Sequence, residues 1–294
     1  MKNIKIFLVT IITATIAWSC SEDKLNSESV FKDPDPALQT EFDKWLLENY
    51  TYPYNISFKY KMEDIESNMT YDLVPATVKN SIAMAKIIKH LWLEVYDDVA
   101  GVDFTRTYIP RVIHLIGSGA YNSNNTFLLG TAEGGLKVTL FRINDLNINN
   151  ISISLLSEWY LHTMHHEFAH ILHQTKDYPS EFKAISNNDY IGDDWAASTA
   201  TLAIANQLGF VSRYARSEAN EDFVELLSIY VTKGQANWNA ILAQAGTAGT
   251  AIINQKLEIV KVYLRNSWGI ELDELRRVFE LRASTLNLLD LSNL

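Results

Sequence analysis

The feature that most constrains this sequence is a cluster of histidines within one apolar segment. Five of the seven histidines lie between His162 and His173, and the cluster contains the pattern His166-Glu167-x-x-His170. On an α-helix, residues four apart project from the same face, so both imidazoles can reach one tetrahedral Zn²⁺ ion. Glu167 stands beside the first of them, where its carboxylate can take a proton from water as a general base. The spacing therefore predicts a zinc-dependent hydrolytic site on a helix.

The alternative is a histidine-rich core helix that holds no metal. The segment from Leu155 to Leu172 carries many apolar residues, which predicts a mostly buried helix. Adjacent buried imidazoles need polar partners, and a metal ion supplies one. We therefore favour the metal site.

The residues alone leave the third metal ligand open. His173 lies on the same helix face as His166, but a straight helix would struggle to bring it to the same ion. Asp193 and Asp194 have suitable carboxylates, although no flanking pattern supports them. Glu221 begins an amphipathic segment that predicts a second helix, and a carboxylate from such a helix is the better candidate. Without a metal, Glu221 would be a solvated carboxylate at a helix start, where the helix dipole favours it.

The N-terminus has the pattern of a lipoprotein signal. A short basic region is followed by residues 6–18, which carry no charge and are too few to span a bilayer. The run ends at Cys20 in a sequence similar to a lipoprotein box, although an ordinary signal peptide with a chance cysteine is the alternative. The acidic residues that follow resemble a surface-export signal. We expect a signal peptide at 1–19, a flexible tether at 20–37 that starts from a lipidated Cys20, and one domain at 38–294.

Hydrophobic periodicity predicts an α+β domain that is rich in helices and has a small mixed sheet. The predicted helices occupy 38–50, 79–100 and much of the chain from Leu155 onward. After the first of them, Tyr52-Pro53-Tyr54 breaks the helical pattern. Two β-rich stretches lie between them, Tyr108–Ile116 and Leu136–Phe141. We expect Leu136–Phe141 to be either the edge strand that holds a substrate backbone or a plain sheet strand.

Composition removes other classes of protein. The formal net charge of −10 argues against a nucleic-acid partner, because no basic surplus is present to neutralise phosphates. The single cysteine excludes an internal disulfide framework and a cysteine-rich zinc module. A metal in this chain must therefore rest on histidine and carboxylate ligands.

Two family resemblances follow from these motifs. The stretch Tyr214–Glu225 resembles the corresponding part of the anthrax lethal factor peptidase domain, where a tyrosine lies seven residues before a glutamate ligand and another glutamate lies four residues after it. His166-Glu167-Phe168-x-His170 also resembles the motif of that enzyme. The whole chain, with its lipoprotein start, is similar to the substrate import-associated zinc metallohydrolase lipoproteins, which are gluzincin-like proteins often linked to outer-membrane nutrient uptake.

The resemblance implies a zincin-like metallopeptidase domain with an HExxH active-site helix. It implies that zinc is bound by His166, His170 and Glu221 and that Glu167 is the base and proton shuttle. The resemblance also implies that Tyr214 donates a hydrogen bond to the oxyanion and that Glu225 orients a histidine imidazole. His173 departs from the simple gluzincin pattern, and we expect it to orient a ligand or to line the pocket.

The expected function is that of a zinc-dependent metallopeptidase of gluzincin type on a lipid-anchored secreted protein. Expected partners are a peptide or protein substrate, the membrane through Cys20, and outer-membrane import proteins. Two alternatives are a noncatalytic surface lipoprotein that binds peptide or glycan, and a zinc hydrolase for a non-peptide amide or ester. The expected location is the outer membrane at the cell surface, with a periplasm-facing position as the alternative. The sequence leaves open the substrate, the cleavage specificity and the oligomeric state.

Overall fold

Helices dominate the computed structural model, which describes residues 39–62, 70–121, 127–128, 130–133 and 135–294. The predicted signal peptide, Cys20 and the whole predicted tether lie outside these residues. Thr40–Leu294 forms one compact unit. The α-helices that precede residue 110 are α1 (Glu41–Leu46), α2 (Tyr52–Tyr54), α3 (Val78–Ile88), α4 (Glu94–Ala100) and α5 (Val102–Tyr108). The α-helices that follow residue 150 are α6 (Ile153–Leu156), α7 (His162–Thr175), α8 (Ser180–Ile185), α9 (Leu202–Gln207), α10 (Ala219–Thr232), α11 (Gly234–Tyr263) and α12 (Leu272–Ser284).

Four short π-helical turns continue or connect these helices within the described residues, at Leu47–Thr51, Lys89–Leu93, Ser157–Leu161 and Leu264–Trp268. The second joins α3 to α4, so that Val78–Ala100 is one continuous helical run, as predicted for 79–100. The third leads directly into α7. Single π turns of this kind often mark functional sites.

The sheet has four strands in the order β1 (Ser57–Lys59), β2 (Val112–Leu115), β6 (Lys137–Leu140) and β5 (Gly130–Glu133). The first three are parallel, and β5 runs antiparallel to β6. A separate pair is formed by β3 (Ala120–Tyr121) and β4 (Phe127–Leu128). The small mixed sheet and the helix-rich remainder confirm the predicted α+β class.

The core holds α7 in place from the side that faces away from its histidine-rich surface. Phe168 of α7 is fully buried and makes edge contacts with Trp92, Tyr96 and Phe104, at centroid distances of 5.9, 4.7 and 5.9 Å. Burying aromatic rings of this size stabilises a helix position strongly. The site residues on the other side of α7 therefore stand on a fixed support.

Two sequence-based expectations were wrong in detail. Tyr108 ends helix α5 instead of starting a strand, because Pro110 forces the preceding residue into an extended conformation and β2 begins only at Val112. Of the two alternatives for 136–141, the plain sheet strand is confirmed, since β6 is bonded on both sides and β5 forms the edge.

The second discrepancy is at Tyr52-Pro53-Tyr54, which is helical and does not break the first helical run. The helix ends instead at Asn55, which adopts a left-handed conformation. Pro53 lies directly after the π turn Leu47–Thr51, in the last turn of this helical run. Among the described residues, no helix combines the length and apolar character needed to cross a membrane.

Candidate metal centre

Helix α7 presents most of the histidine cluster on one side. His162, His166, His170 and His173 follow one another at intervals of three or four residues and share that face. His165 points the other way and is fully buried, with its Nδ1 3.0 Å from the hydroxyl of Tyr96. Burial lowers the pKa of His165 to about 3, so this residue is a neutral part of the core.

The second helix of the centre is α10, which packs along α7 and brings two glutamates to its histidines. Glu221 lies in the first turn of α10, and Glu225 follows one turn later. Glu225 is almost fully buried, whereas Glu221 retains some exposure. The four-residue spacing places both carboxylates on the face of α10 that contacts α7.

Three donor atoms from these helices form a nearly equilateral triangle. Nε2 of His166 and Nε2 of His170 are 3.2 Å apart, and Oε2 of Glu221 lies 3.1 Å from the first and 3.3 Å from the second. Zinc bonds of roughly 2.0–2.1 Å in a tetrahedron place neighbouring ligand atoms about 3.3 Å apart. The triangle therefore has the dimensions of three corners of a zinc site.

The outward nitrogen of each ligand candidate has a partner. Nδ1 of His166 lies 2.8 Å from Oε1 of Glu225, and Nδ1 of His170 lies 3.0 Å from Nε2 of His173. A carboxylate only accepts hydrogen bonds, so a neutral His166 carries its proton on Nδ1 and directs the lone pair of Nε2 into the triangle. A neutral His170 that donates to His173 has the same arrangement. Such partners fix the orientation of metal-binding imidazoles in zinc proteins.

This donor set fits a divalent cation. Two nitrogen lone pairs and a carboxylate oxygen would repel one another at these distances unless positive charge lies between them. The preference for positive charge is strong: burial lowers the pKa of His166, but hydrogen bonds with Glu221 and Glu225 outweigh it and raise the pKa to about 10. Burial raises the pKa of Glu221, yet the two histidines bring it down to about 2. Two imidazoles and one carboxylate are ligands that zinc prefers.

Glu225 binds more partners than the sequence suggested. Its Oε1 is 2.8 Å from Nε2 of His162 as well as from Nδ1 of His166, and its Oε2 accepts a hydrogen bond of 2.5 Å from Ser212. His162, His166 and Glu225 are thus a second group of neighbouring donors. The contact between His166 and Glu225 is a hydrogen bond, whereas His162 approaches Glu225 only at ion-pair distance, so the group holds the Glu225 carboxylate next to His166. Sequence reasoning missed His162 and Ser212, although the position of His162 one turn before His166 was a usable signal.

Glu167 and Tyr214 are two further polar residues close to the triangle. Burial raises the pKa of Glu167 above its usual range, against the opposing effect of His166 and His170. The ring of Tyr214 stacks on that of His166 with a centroid distance of 6.0 Å, and the carboxylate of Glu221 lies close enough to its hydroxyl to act on it electrostatically. Burial, followed by the charge of Glu221, raises the pKa of Tyr214, which keeps it protonated.

A cavity of about 250 Å³ opens beside the triangle. Its described lining includes Glu167 and the donor residues His170 and Glu221, together with Gly135, His173, Gln174, Glu218 and Asn220. Asp193 and Asp194, the other carboxylates considered from the sequence, are exposed on the turn Gly192–Ala196 and belong to neither donor group that the described residues form. The predicted site residues are therefore gathered around one centre, and His173 touches it through His170.

Comparisons with known proteins agree with a metal centre of this kind. Residues 35–273 match the Peptidase_Mx1 family model, whose description is "Putative zinc-binding metallo-peptidase". A crystal structure described as a putative zinc-binding metallo-peptidase from Bacteroides caccae superposes with a TM-score of 0.76 at 45% sequence identity, covering 89% of this chain and 98% of that one. No curated protein matches the sequence.

Proposed function

Because the chain belongs to the Peptidase_Mx1 family of putative zinc-binding metallo-peptidases, we propose that it is a zinc-dependent peptidase of gluzincin type with His166, His170 and Glu221 as metal ligands. The observation that carries the proposal is the triangle of donor atoms with 3.1–3.3 Å sides, with Glu167 next to His166 on the same helix. A zinc ion held there would supply Lewis-acid activation of a water molecule and of the substrate carbonyl.

Glu167 is the proton carrier in this proposal. Its carboxylate takes a proton from the attacking water and passes it to the amine that leaves when the peptide bond breaks. Its raised pKa supports the role, because a base that later acts as an acid works best with a pKa closer to the working pH. Its place in the wall of the cavity gives it access to a substrate.

Tyr214 is the proposed donor to the negative charge that develops on the substrate oxygen. It is held protonated, and its ring is fixed between His166 and the edge of Trp195, at 4.9 Å from the latter. A fixed O–H donor at a developing oxyanion stabilises the transition state more than the ground state. Its interaction with the carboxylate of Glu221 is the one that it would exchange for the substrate.

Two further residues position the ligands. Glu225 orients His166 through Nδ1, and His173 does the same for His170. Partners of this type typically change metal affinity by about 10- to 100-fold when they are removed. The proposed role of His173 is therefore support of a ligand.

The critical experiment separates metal binding from chemistry. Glu167→Gln should keep about one zinc per chain and lose peptide hydrolysis by a factor of about 10² or more. Glu221→Ala should lose the zinc itself, as measured by elemental analysis of the purified protein. Asp193→Asn, which changes an exposed carboxylate outside the donor group, is the matched control and should change neither.

Two outcomes would contradict this assignment. Zinc that stays bound in Glu221→Ala at normal affinity refutes the ligand set. A wild-type protein that holds zinc but cleaves no peptide in a broad library refutes the peptidase, and leaves a metal-containing binding lipoprotein or a hydrolase of another amide or ester.

We also propose that the protein is anchored in the outer membrane by lipid on Cys20, faces the cell surface, and serves an outer-membrane nutrient import system. The support is the signal-like N-terminus that ends at Cys20 and its acidic continuation. Cys20→Ser should move the protein from the membrane fraction to the soluble fraction of lysed cells. Retention in the membrane fraction would refute the lipid anchor.

A further inference from the structure

The cavity beside the proposed metal ligands has an unusually acidic wall. Three of its described lining residues are glutamates, Glu167, Glu218 and Glu221, and no lysine or arginine is among them. The remaining described lining is polar or glycine. The wall therefore offers hydrogen-bond acceptors and negative charge and little apolar surface.

Glu218 is the carboxylate in this wall that the proposed chemistry does not use. It is exposed at the N-cap of α10, three residues before Glu221, and its side chain does not cap the helix. The residues that usually cap a helix N-terminus are Asp, Asn, Ser and Thr, so the lack of a cap hydrogen bond from Glu218 is expected. Within the described part of the chain, its carboxylate has no hydrogen bond or ion pair, so it is available to a ligand in the cavity.

The charge balance of the cavity favours a cationic ligand group. A divalent ion offsets two of the three wall carboxylates and leaves one negative charge. Just outside the cavity, Asp177 carries a negative charge and Lys183 a positive one, and their effects on the pKa of His173 oppose each other. Together they therefore leave the net charge around the cavity unchanged. The ammonium of Lys183 is placed over the ring of Tyr178, 5.3 Å from its centroid, which keeps it engaged elsewhere.

Resting on the proposed peptidase function, we propose that this cavity is a specificity pocket for a positively charged nitrogen group of the peptide substrate, with Glu218 as its recognition residue. A volume of about 250 Å³ is below that of pockets for drug-sized ligands and suits one side chain or one chain end. The group can be the side chain of a lysine or arginine near the cleaved bond, or the free α-amine of a short peptide. Both present N–H donors and a positive charge to a carboxylate.

The test uses the zinc-loaded protein and peptides that differ at one position at a time. Lysine, norleucine and glutamate are placed in turn on each side of the cleaved bond, and every peptide is made with a free and an acetylated N-terminus. A preference for lysine over norleucine identifies a side chain as the bound group. A preference for the free over the acetylated terminus identifies the α-amine. We expect kcat/KM for the cationic peptide to exceed that of its neutral match by about twofold to fivefold, the range for an ion pair with an exposed carboxylate.

Glu218→Gln should bring this ratio close to one while zinc content stays at one per chain, and Glu218→Lys should invert it. The control is Glu181→Gln, since Glu181 is an exposed glutamate on the nearby helix α8 and is absent from the described cavity wall. A ratio that is unchanged in Glu218→Gln overturns the pocket assignment and leaves the peptidase standing.

Direct binding separates this proposal from the function on which it rests. If no peptide is cleaved, the peptidase is refuted, and calorimetric titration of the same peptides then tests the pocket. Tighter binding of cationic peptides that disappears in Glu218→Gln supports the pocket in that case as well. Equal affinities for cationic and neutral peptides overturn it.

Discussion

Lys256→Met should be among the most damaging single substitutions in this fold, although Lys256 is not in the cavity wall. Lys256 of α11 and Asp222 of α10 form an ion pair with a 2.7 Å separation, and both side chains are about 1% exposed. The ammonium also donates to the carbonyl of Gly209 at 3.0 Å and lies 3.8 Å from the ring centroid of Phe210. The substitution removes all three contacts at once.

The expected cost is that of leaving a buried charge without its partner, about 3–5 kcal/mol in the free energy of unfolding. Asp222 would keep only the hydrogen bond from Tyr190, at 3.0 Å. In a domain of this size, such a loss lowers the melting temperature by about 10 °C. Urea denaturation followed by circular dichroism measures the free energy, and thermal melting checks it. The control is Lys261→Met, one turn and a half along the same helix, where the ion pair with Asp273 is partly exposed and is worth less than about 1 kcal/mol.

The pH dependence gives a second, independent reading of the same pair. Burial raises the pKa of Asp222 to about 6, even though Lys256 and Tyr190 favour the charged form. The pKa of Asp222 is higher in the folded protein than in the unfolded chain. As the pH rises from the unfolded to the folded pKa, the unfolded chain loses its proton first, and the free energy of unfolding falls. Without the lysine the pKa rises further, so the penalty of Lys256→Met should be smaller at pH 5 than at pH 8. A penalty below about 1 kcal/mol, or one that is the same at both pH values, would refute the reasoning that this pair is dry and ionised.

Other substitutions test the centre and the packing around it. Tyr214→Phe should keep the fold and the zinc but lower kcat by about 10–10³, as loss of an oxyanion donor does; unchanged kcat would remove Tyr214 from the chemistry. Glu225→Gln should weaken zinc affinity by about 10- to 100-fold in a chelator competition assay. His173→Leu should also weaken zinc affinity, whereas His173→Gln should restore it, because the amide oxygen can again accept a hydrogen bond from the imidazole of His170. Equal zinc affinities in the Leu and Gln variants would indicate that His173 only packs against the centre. Gly249→Ala should cost about 1–3 kcal/mol by denaturation, since a Cβ there would lie 2.4 Å from the backbone oxygen of Asn206, and a neutral result would mean that the two helices separate easily.

The part of the centre that lies on one helix was predictable from the sequence. The four-residue spacing of His166 and His170 sets their common face whatever the rest of the chain does. Glu221 was different, because its separation of 51 residues from His170 gives no geometric information. The amphipathic segment that it begins favoured it over Asp193 and Asp194, the family resemblance of that segment supported the choice, and the structure places its carboxylate in the donor triangle.

What the sequence could not supply depends on contacts between distant segments. Glu225 is held by His162 from α7 and Ser212 from a loop; the helical spacing of His162 from His166 hints at the first contact, but no local pattern indicates Ser212. The edge strand β5 was missed for a similar reason, since Gly130-Thr-Ala-Glu has no apolar alternation and becomes a strand through its pairing with β6. Local periodicity identified the long helices because each buries its own regular stripe.

The division of the donor atoms between α7 and α10 also bears on how the protein responds to its surroundings. An ion shared by two helices that are far apart in sequence acts as a removable cross-link, and it binds the folded chain in preference to the unfolded one. At a free zinc concentration of 100 times Kd, this linkage adds about 2.7 kcal/mol to the free energy of unfolding. The resistance of the protein to heat and to proteolysis would then follow the zinc supply of its compartment. Chelation would shorten its lifetime even before a substrate is present.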